Sequence, residues 1–144
     1  MVYAQRNNFK MIFSIEINDH LYRLAKERFQ GFSHIHILKG DSSQVIKDVI
    51  RNCNEPYLFW LDAHYSGGLT GKGATKTPIL EEVKAILSEQ FREHVILIDD
   101  ARDFTGSNDY PSLHSLHDFV MSINPECTFD VKHDIIRIYR RERA

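Results

Sequence analysis

Tyr57–Gly68 reads YLFWLDAHYSGG. The run Tyr57–Leu61 is apolar, too short for a helix and of the right length for a buried strand. Asp62 stops it, and Gly67 and Gly68 open a loop. His94–Phe104, HVILIDDARDF, repeats the form, with an apolar run Val95–Ile98 ending in Asp99 and Asp100. In open α/β sheets ligands sit outside the carboxyl ends of the strands. If these two strands are neighbours, Asp62, Asp99 and Asp100 meet at one rim. Two such charges about 4 Å apart repel by about 4 kcal/mol at an effective dielectric near 20. A cation is therefore expected there, and an all-oxygen set suits a hard divalent ion such as Mg²⁺. The plain alternative is that Asp62 caps its own loop and that Asp99 or Asp100 pairs with Arg102.

Working outward, Lys10–Ile17, KMIFSIEI, is a strand that ends near Glu16. Asn18 or Asp19 can cap the next helix, whose apolar face is Leu21, Leu24, Ala25 and Phe29. Gly31 ends it. Ile35–Leu38 is a second strand, followed by Gly40 and Asp41; Ser42 or Ser43 caps a helix carrying Val45, Ile46, Val49 and Ile50. After the loop His64–Lys76, Thr77 and Pro78 open a helix in the favoured order, with Leu80, Val83, Ile86 and Leu87 on its apolar face. Pro111 starts a helix bearing Leu113, Leu116, Phe119, Val120 and Ile123. Cys127–Val131 and Ile135–Tyr139 form a hairpin around Lys132–Asp134. Alternating strands and helices imply a parallel sheet with helices on both faces, and the hairpin adds an antiparallel strand. Phe59 and Trp60 read as core residues.

The 144 residues make one domain, and 42% hydrophobic content is enough for one core. A net charge of −2 gives no electrostatic reason to expect nucleic acid or an anionic membrane as partner. Cys53 and Cys127 form no metal-type pair, and free thiols fit a reducing, cytoplasmic setting. The start MVYAQRNNFK has no long apolar core, so neither a secretory leader nor a membrane span is expected. GGLTGKGATKT fails the phosphate-loop pattern, because Gly73 follows Lys72 and Ser66 stands six residues before it. His114 and His117 lie one helical turn apart without a third ligand nearby.

The segments FSIEIN, LKGDSSQVI, FWLDAHYSGG, TPILEEV and ILIDDAR, in this order of elements, resemble the class I S-adenosylmethionine-dependent methyltransferases. In particular they resemble the metal-dependent macrocin O-methyltransferase type, over roughly residues 10–140. The resemblance implies a Rossmann-like, doubly wound, mostly parallel α/β sheet with a C-terminal antiparallel hairpin. It implies S-adenosylmethionine as cofactor, with Glu16 on the ribose hydroxyls and Asp41 and Ser42 on the adenine side. It also implies Asp62, Asp99 and Asp100 around a divalent metal that lowers the pKa of the acceptor hydroxyl. Asp62 and His64 are the catalytic candidates, His64 as general base. The acceptor would be a small hydroxylated molecule such as a sugar or natural product.

The chain departs from that family where a glycine-rich loop should precede KMIFSIE. Nine residues precede Lys10, and none is Gly. The expectation is a partial domain over residues 1–144 that lacks the first strand and its loop, retains half an adenosine site, and binds S-adenosylhomocysteine weakly if at all. Two rivals stand beside this reading: a non-catalytic methyltransferase-like fragment, and a metal-assisted hydrolase using Asp62, His64, Asp99 and Asp100. In the family's order the missing strand lies between IFSIEI and YLFWLD. Those two strands are thus expected either to close on each other or to be covered by a second copy in a homodimer.

Overall fold

Three of the described helices begin where a polar side chain takes over from the preceding strand or loop. The computed structural model describes residues 9–52, 55–62, 77–88, 93–107 and 110–140. In chain order these form β1 (Ile12–Glu16), α1 (Asp19–Phe29), β2 (Ile35–Lys39), α2 (Ser42–Arg51), β3 (Leu58–Leu61), α3 (Ile79–Leu87), β4 (Val95–Ile98), α4 (Leu113–Ile123), β5 (Cys127–Lys132) and β6 (Ile135–Arg140). Asn18 caps α1 by accepting from the His20 and Leu21 N–H groups. Asp41, rather than either serine, caps α2 by accepting from the Ser43 N–H. Ser112 caps α4 through the Ser115 N–H, so that helix starts after Pro111 instead of on it. Each such cap stabilises its helix by about 1 kcal/mol.

Among the described residues the strands form two groups. β1 and β2 pair in parallel, and the other four run in the order β3-β4-β6-β5. β3 and β4 are parallel, whereas β6 is antiparallel to both of its neighbours. The β5–β6 turn places His133 and Asp134 at φ 54° and 62°. Two consecutive left-handed residues are what a two-residue type I′ hairpin requires.

Contrary to one expectation, β1 does not close onto β3, and the two belong to separate sheets. Their side chains meet instead, with the Phe13 and Tyr57 rings edge-on at 6.3 Å between centroids. A closed ladder would bring Glu16 beside Asp62 at the rim, adding like-charge repulsion. This contact lies near the starts of β1 and β3, which leaves Glu16 and Asp62 at the opposite edge.

The core lies between α2, α3 and α4 and one face of the larger sheet. Ile50, Val83, Ile86, Leu116, Val120, Ile96 and Ile136 are all at most 1% exposed. Full burial of one such aliphatic side chain contributes about 2 kcal/mol. Strand alternation decides which residues of β3 join this core. Leu61 is buried and Phe59 packs against the cluster, but Leu58 and Trp60 point the other way and are 49% and 54% exposed. Trp60 is thus not a core residue, because no described helix covers that face of β3. Among the described residues no helix is long and apolar enough to cross a membrane.

Candidate functional site

The parallel pairing of β1 with β2 sets Glu16 opposite Lys39 at the carboxyl end of the pair. The Gly40 N–H donates to the Glu16 carbonyl at 3.1 Å and ties the two strand ends together. Lys39 pairs with Asp19 at 2.9 Å. The Glu16 carboxylate folds back on the next turn, with Oε1 accepting the Asn18 N–H at 2.7 Å. One residue past Gly40, Asp41 Oδ1 accepts from the Ser43 N–H at 2.9 Å and from the Ser43 hydroxyl at 2.6 Å. Glu16, Asp41 and Ser42 are thereby gathered at one end of two adjacent strands.

The β3–β4 pair builds the other part of the rim. Leu61 is in register with Ile98, and the Asp99 N–H donates to the Leu61 carbonyl at 3.1 Å. Asp62 and Asp99 therefore leave adjacent strands at the same level, as the sequence led one to expect. Asp99 Oδ1 accepts the Asp100 N–H at 2.9 Å. Asp100 is left-handed, with φ 55° and ψ 51°. Its carboxylate pairs with the Arg102 guanidinium at 2.6 Å. Arg102 also pairs with the Asp134 carboxylate, while the Asp134 carbonyl and Oδ1 accept the Ala101 and Arg102 N–H groups, each at 2.9 Å. The hairpin tip thus clamps the segment that follows β4.

This clamp bears on the expected metal centre. Asp100 carries out the plain role, pairing with Arg102. Among the described residues no group of three or more His, Cys, Asp or Glu is arranged to hold a metal ion. His64 and the glycine-rich loop around it lie outside the described residues. Tyr110 belongs to the rim, its ring edge-on to Phe104 at 5.2 Å. Burial, with the charges of Asp103, Asp100 and Asp62, raises its phenol above the ordinary tyrosine range.

One residue of this region was not singled out from sequence. Glu82, on the inner face of α3, is 1% exposed. Neither of its carboxylate oxygens has a hydrogen-bond partner among the described residues. The Ser42 hydroxyl faces it without closing a bond of good geometry, and Asp41 and Glu81 act on it as like charges. Burial is the main cause that pushes the carboxyl up from 4.5 to about 7; Asp41 and Glu81 add to the rise, and Ser42 opposes it. The signal was in the sequence: Ile79, Glu82, Val83 and Ile86 fall at helical spacing on one stripe, and all four are buried.

No family model matches the sequence, and no curated protein matches it. Solved structures do. The S-adenosylhomocysteine-bound methyltransferase PaMTH1 of Podospora anserina superposes with a TM-score of 0.62 at 17% identity, over 98% of this chain and 65% of that one. A putative caffeoyl-CoA O-methyltransferase from Staphylococcus aureus gives 0.53 at 15%, over 90% of this chain and 64% of that one. The N-methyltransferase NodS of Bradyrhizobium japonicum WM9, in complex with S-adenosylhomocysteine, gives 0.52 at 12%, over 92% and 68%. This chain therefore spans less than two thirds of the first two proteins. At such identities the likeness shows the fold alone, one that these methyltransferases share.

Proposed function

We propose that this chain is an S-adenosylmethionine-binding domain of the methyltransferase type, whose chemistry is O-methyl transfer to a small hydroxylated molecule. The observation that supports it most is the gathering of Glu16, Asp41 and Ser42 at the carboxyl ends of two adjacent parallel strands, within a methyltransferase fold. These residues suit an adenosine. Glu16 uses Oε1 on the Asn18 N–H, which leaves Oε2 to accept from a ribose hydroxyl. Asp41 uses Oδ1 on Ser43, which leaves Oδ2 for the adenine side, next to Ser42.

When bound, the cofactor supplies an electrophilic methyl on a sulfonium. Asp62, exposed at the rim, is placed to take the proton of the acceptor hydroxyl, and His64 is the second candidate for that role from the sequence. The rest of the task is alignment of the acceptor oxygen, which held geometry can accelerate by many orders of magnitude. Among the described residues Asp62, Asp99 and Asp100 are not grouped as a three-ligand Mg²⁺ site, and one Asp100 oxygen pairs with Arg102. No step here depends on a metal.

Ligand-observed NMR titration with S-adenosylhomocysteine tests this reading. Weak saturable binding is expected, lowered at least tenfold by Asp41→Asn or by Glu16→Gln and unchanged by EDTA. Absence of binding, or binding indifferent to both substitutions, would overturn it. Assembly belongs to the same reading: a second copy covers the edges of β1 and β3 that pair with no described strand, and the exposed Leu58 and Trp60. Sedimentation equilibrium should give twice the chain mass of 16.8 kDa, with Trp60→Arg shifting the chain towards monomer. A monomeric mass for the unaltered chain would rule this out.

A further inference from the structure

We propose that Glu82 is a positioning residue behind the adenosine end of the site, acting through Ser42 and Asp41, and that its proton sets how tightly that end is held. The inference rests on the cofactor reading above. It starts from geometry: α3 packs along α2, and Glu82, at 1% exposure, faces the first turn of α2, where Asp41 is the cap and Ser42 the first helical residue. The charges that act on it, Asp41 from α2 and Glu81 from its own helix, are both negative.

A neutral Glu82 has an O–H to donate and, in Ser42, an acceptor that faces it. The Ser42 hydroxyl is then free to donate outward to a ligand, and Glu82 adds no charge to those of Asp41 and Glu81. Loss of the Glu82 proton reverses both effects. The buried carboxylate becomes acceptor-only and draws the Ser42 hydroxyl proton inward. It also sets a further negative charge behind Asp41 with no water to screen it. The first turn of α2 loses its fixed alignment and the outward donor is withdrawn. Affinity for an adenosine-bearing ligand falls as Glu82 ionises, around neutral pH.

The test is the same titration with S-adenosylhomocysteine, carried out on the full chain at pH 6, 7 and 8.5, with the Glu82 carboxyl followed by carbon-detected NMR. For the unaltered chain the dissociation constant should rise about tenfold from pH 6 to pH 8.5. Glu82→Gln, which keeps a donor and an acceptor without a titrating proton, should hold its pH 6 affinity throughout. Glu82→Leu, which fills the space but offers Ser42 nothing, should bind weakly and without a pH slope. Equal slopes in the unaltered chain and Glu82→Gln, or a flat profile in both, would overturn the proposal while leaving the cofactor reading intact. No binding at any pH, with Glu82 still titrating near neutrality, would overturn the cofactor reading and this role with it.

Discussion

Between pH 4.5 and 7 the folded chain is expected to lose about 3 kcal/mol of stability through the ionisation of Glu82 alone. Its carboxyl is raised from 4.5 to about 7 in the fold, and each pH unit corresponds to about 1.4 kcal/mol. The folded state holds this proton more tightly than the unfolded chain. Below pH 4.5 both states are protonated and the full contribution is present. As pH rises, the unfolded chain releases the proton first, so folding becomes steadily less favourable until the folded carboxyl ionises too. Above about pH 7 the contribution is gone and the curve is level. Whole-domain stabilities are roughly 5–15 kcal/mol, so the effect is large enough to read directly. Urea unfolding of the unaltered chain and of Glu82→Gln, at half-unit steps from pH 4 to pH 8, isolates it. Other carboxylates titrate in both proteins and cancel in the difference. The gap in midpoint should move in favour of Glu82→Gln up to pH 7 and then stay constant. Parallel curves across the range would show that the Glu82 carboxyl is not held neutral by its surroundings.

The same residue shows what the sequence could and could not convey. Strands ending in acids were readable because a short apolar run that stops at Asp or Glu marks both the strand and its end. That placed Glu16, Asp62 and Asp99 at strand ends, and pairing then set Asp62 level with Asp99. Glu82 is hidden in the sequence because Leu80 and Leu87, which are only partly buried, suggest a different inner stripe, and a charged residue does not announce burial. The exposure of Trp60 is hidden for a different reason. In YLFWL every side chain is apolar, so alternation leaves no trace of which face is covered. Only the placement of α2, α3 and α4 settles it. The Arg102–Asp134 clamp joins residues 32 apart in sequence, a separation at which no local pattern announces a contact. Within that clamp Asp100 pairs with Arg102, the plain alternative that the sequence offered.

Gly40→Ala is expected to destabilise the chain by about 3 kcal/mol and to weaken the adenosine end of the site, although the residue touches no ligand. Two separate causes contribute. Gly40 has φ +148°, a backbone conformation that residues with a Cβ rarely adopt. An added Cβ would also lie 2.7 Å from Val45 Cγ2. That methyl belongs to a β-branched side chain within α2, whose χ1 is largely fixed, so it cannot swing aside freely. Overpacking of this kind costs about 1–3 kcal/mol, and a strained backbone conformation a comparable amount. The strain would fall on the peptide that fixes the rim. The Gly40 N–H ties β2 to the Glu16 carbonyl, and the next residue is Asp41, whose carboxylate caps α2. A double-mutant cycle with Val45→Ala separates the two causes. Removing the methyl should relieve the collision, so the double variant should recover about 1–2 kcal/mol relative to the sum of the single changes. The backbone share should persist, and with it the weaker binding of S-adenosylhomocysteine. Strict additivity would mean that the collision with Val45 is absent. A Gly40→Ala variant as stable as the parent would mean that the β2–α2 junction is not built as described, and the placement of Asp41 at the rim would fall with it.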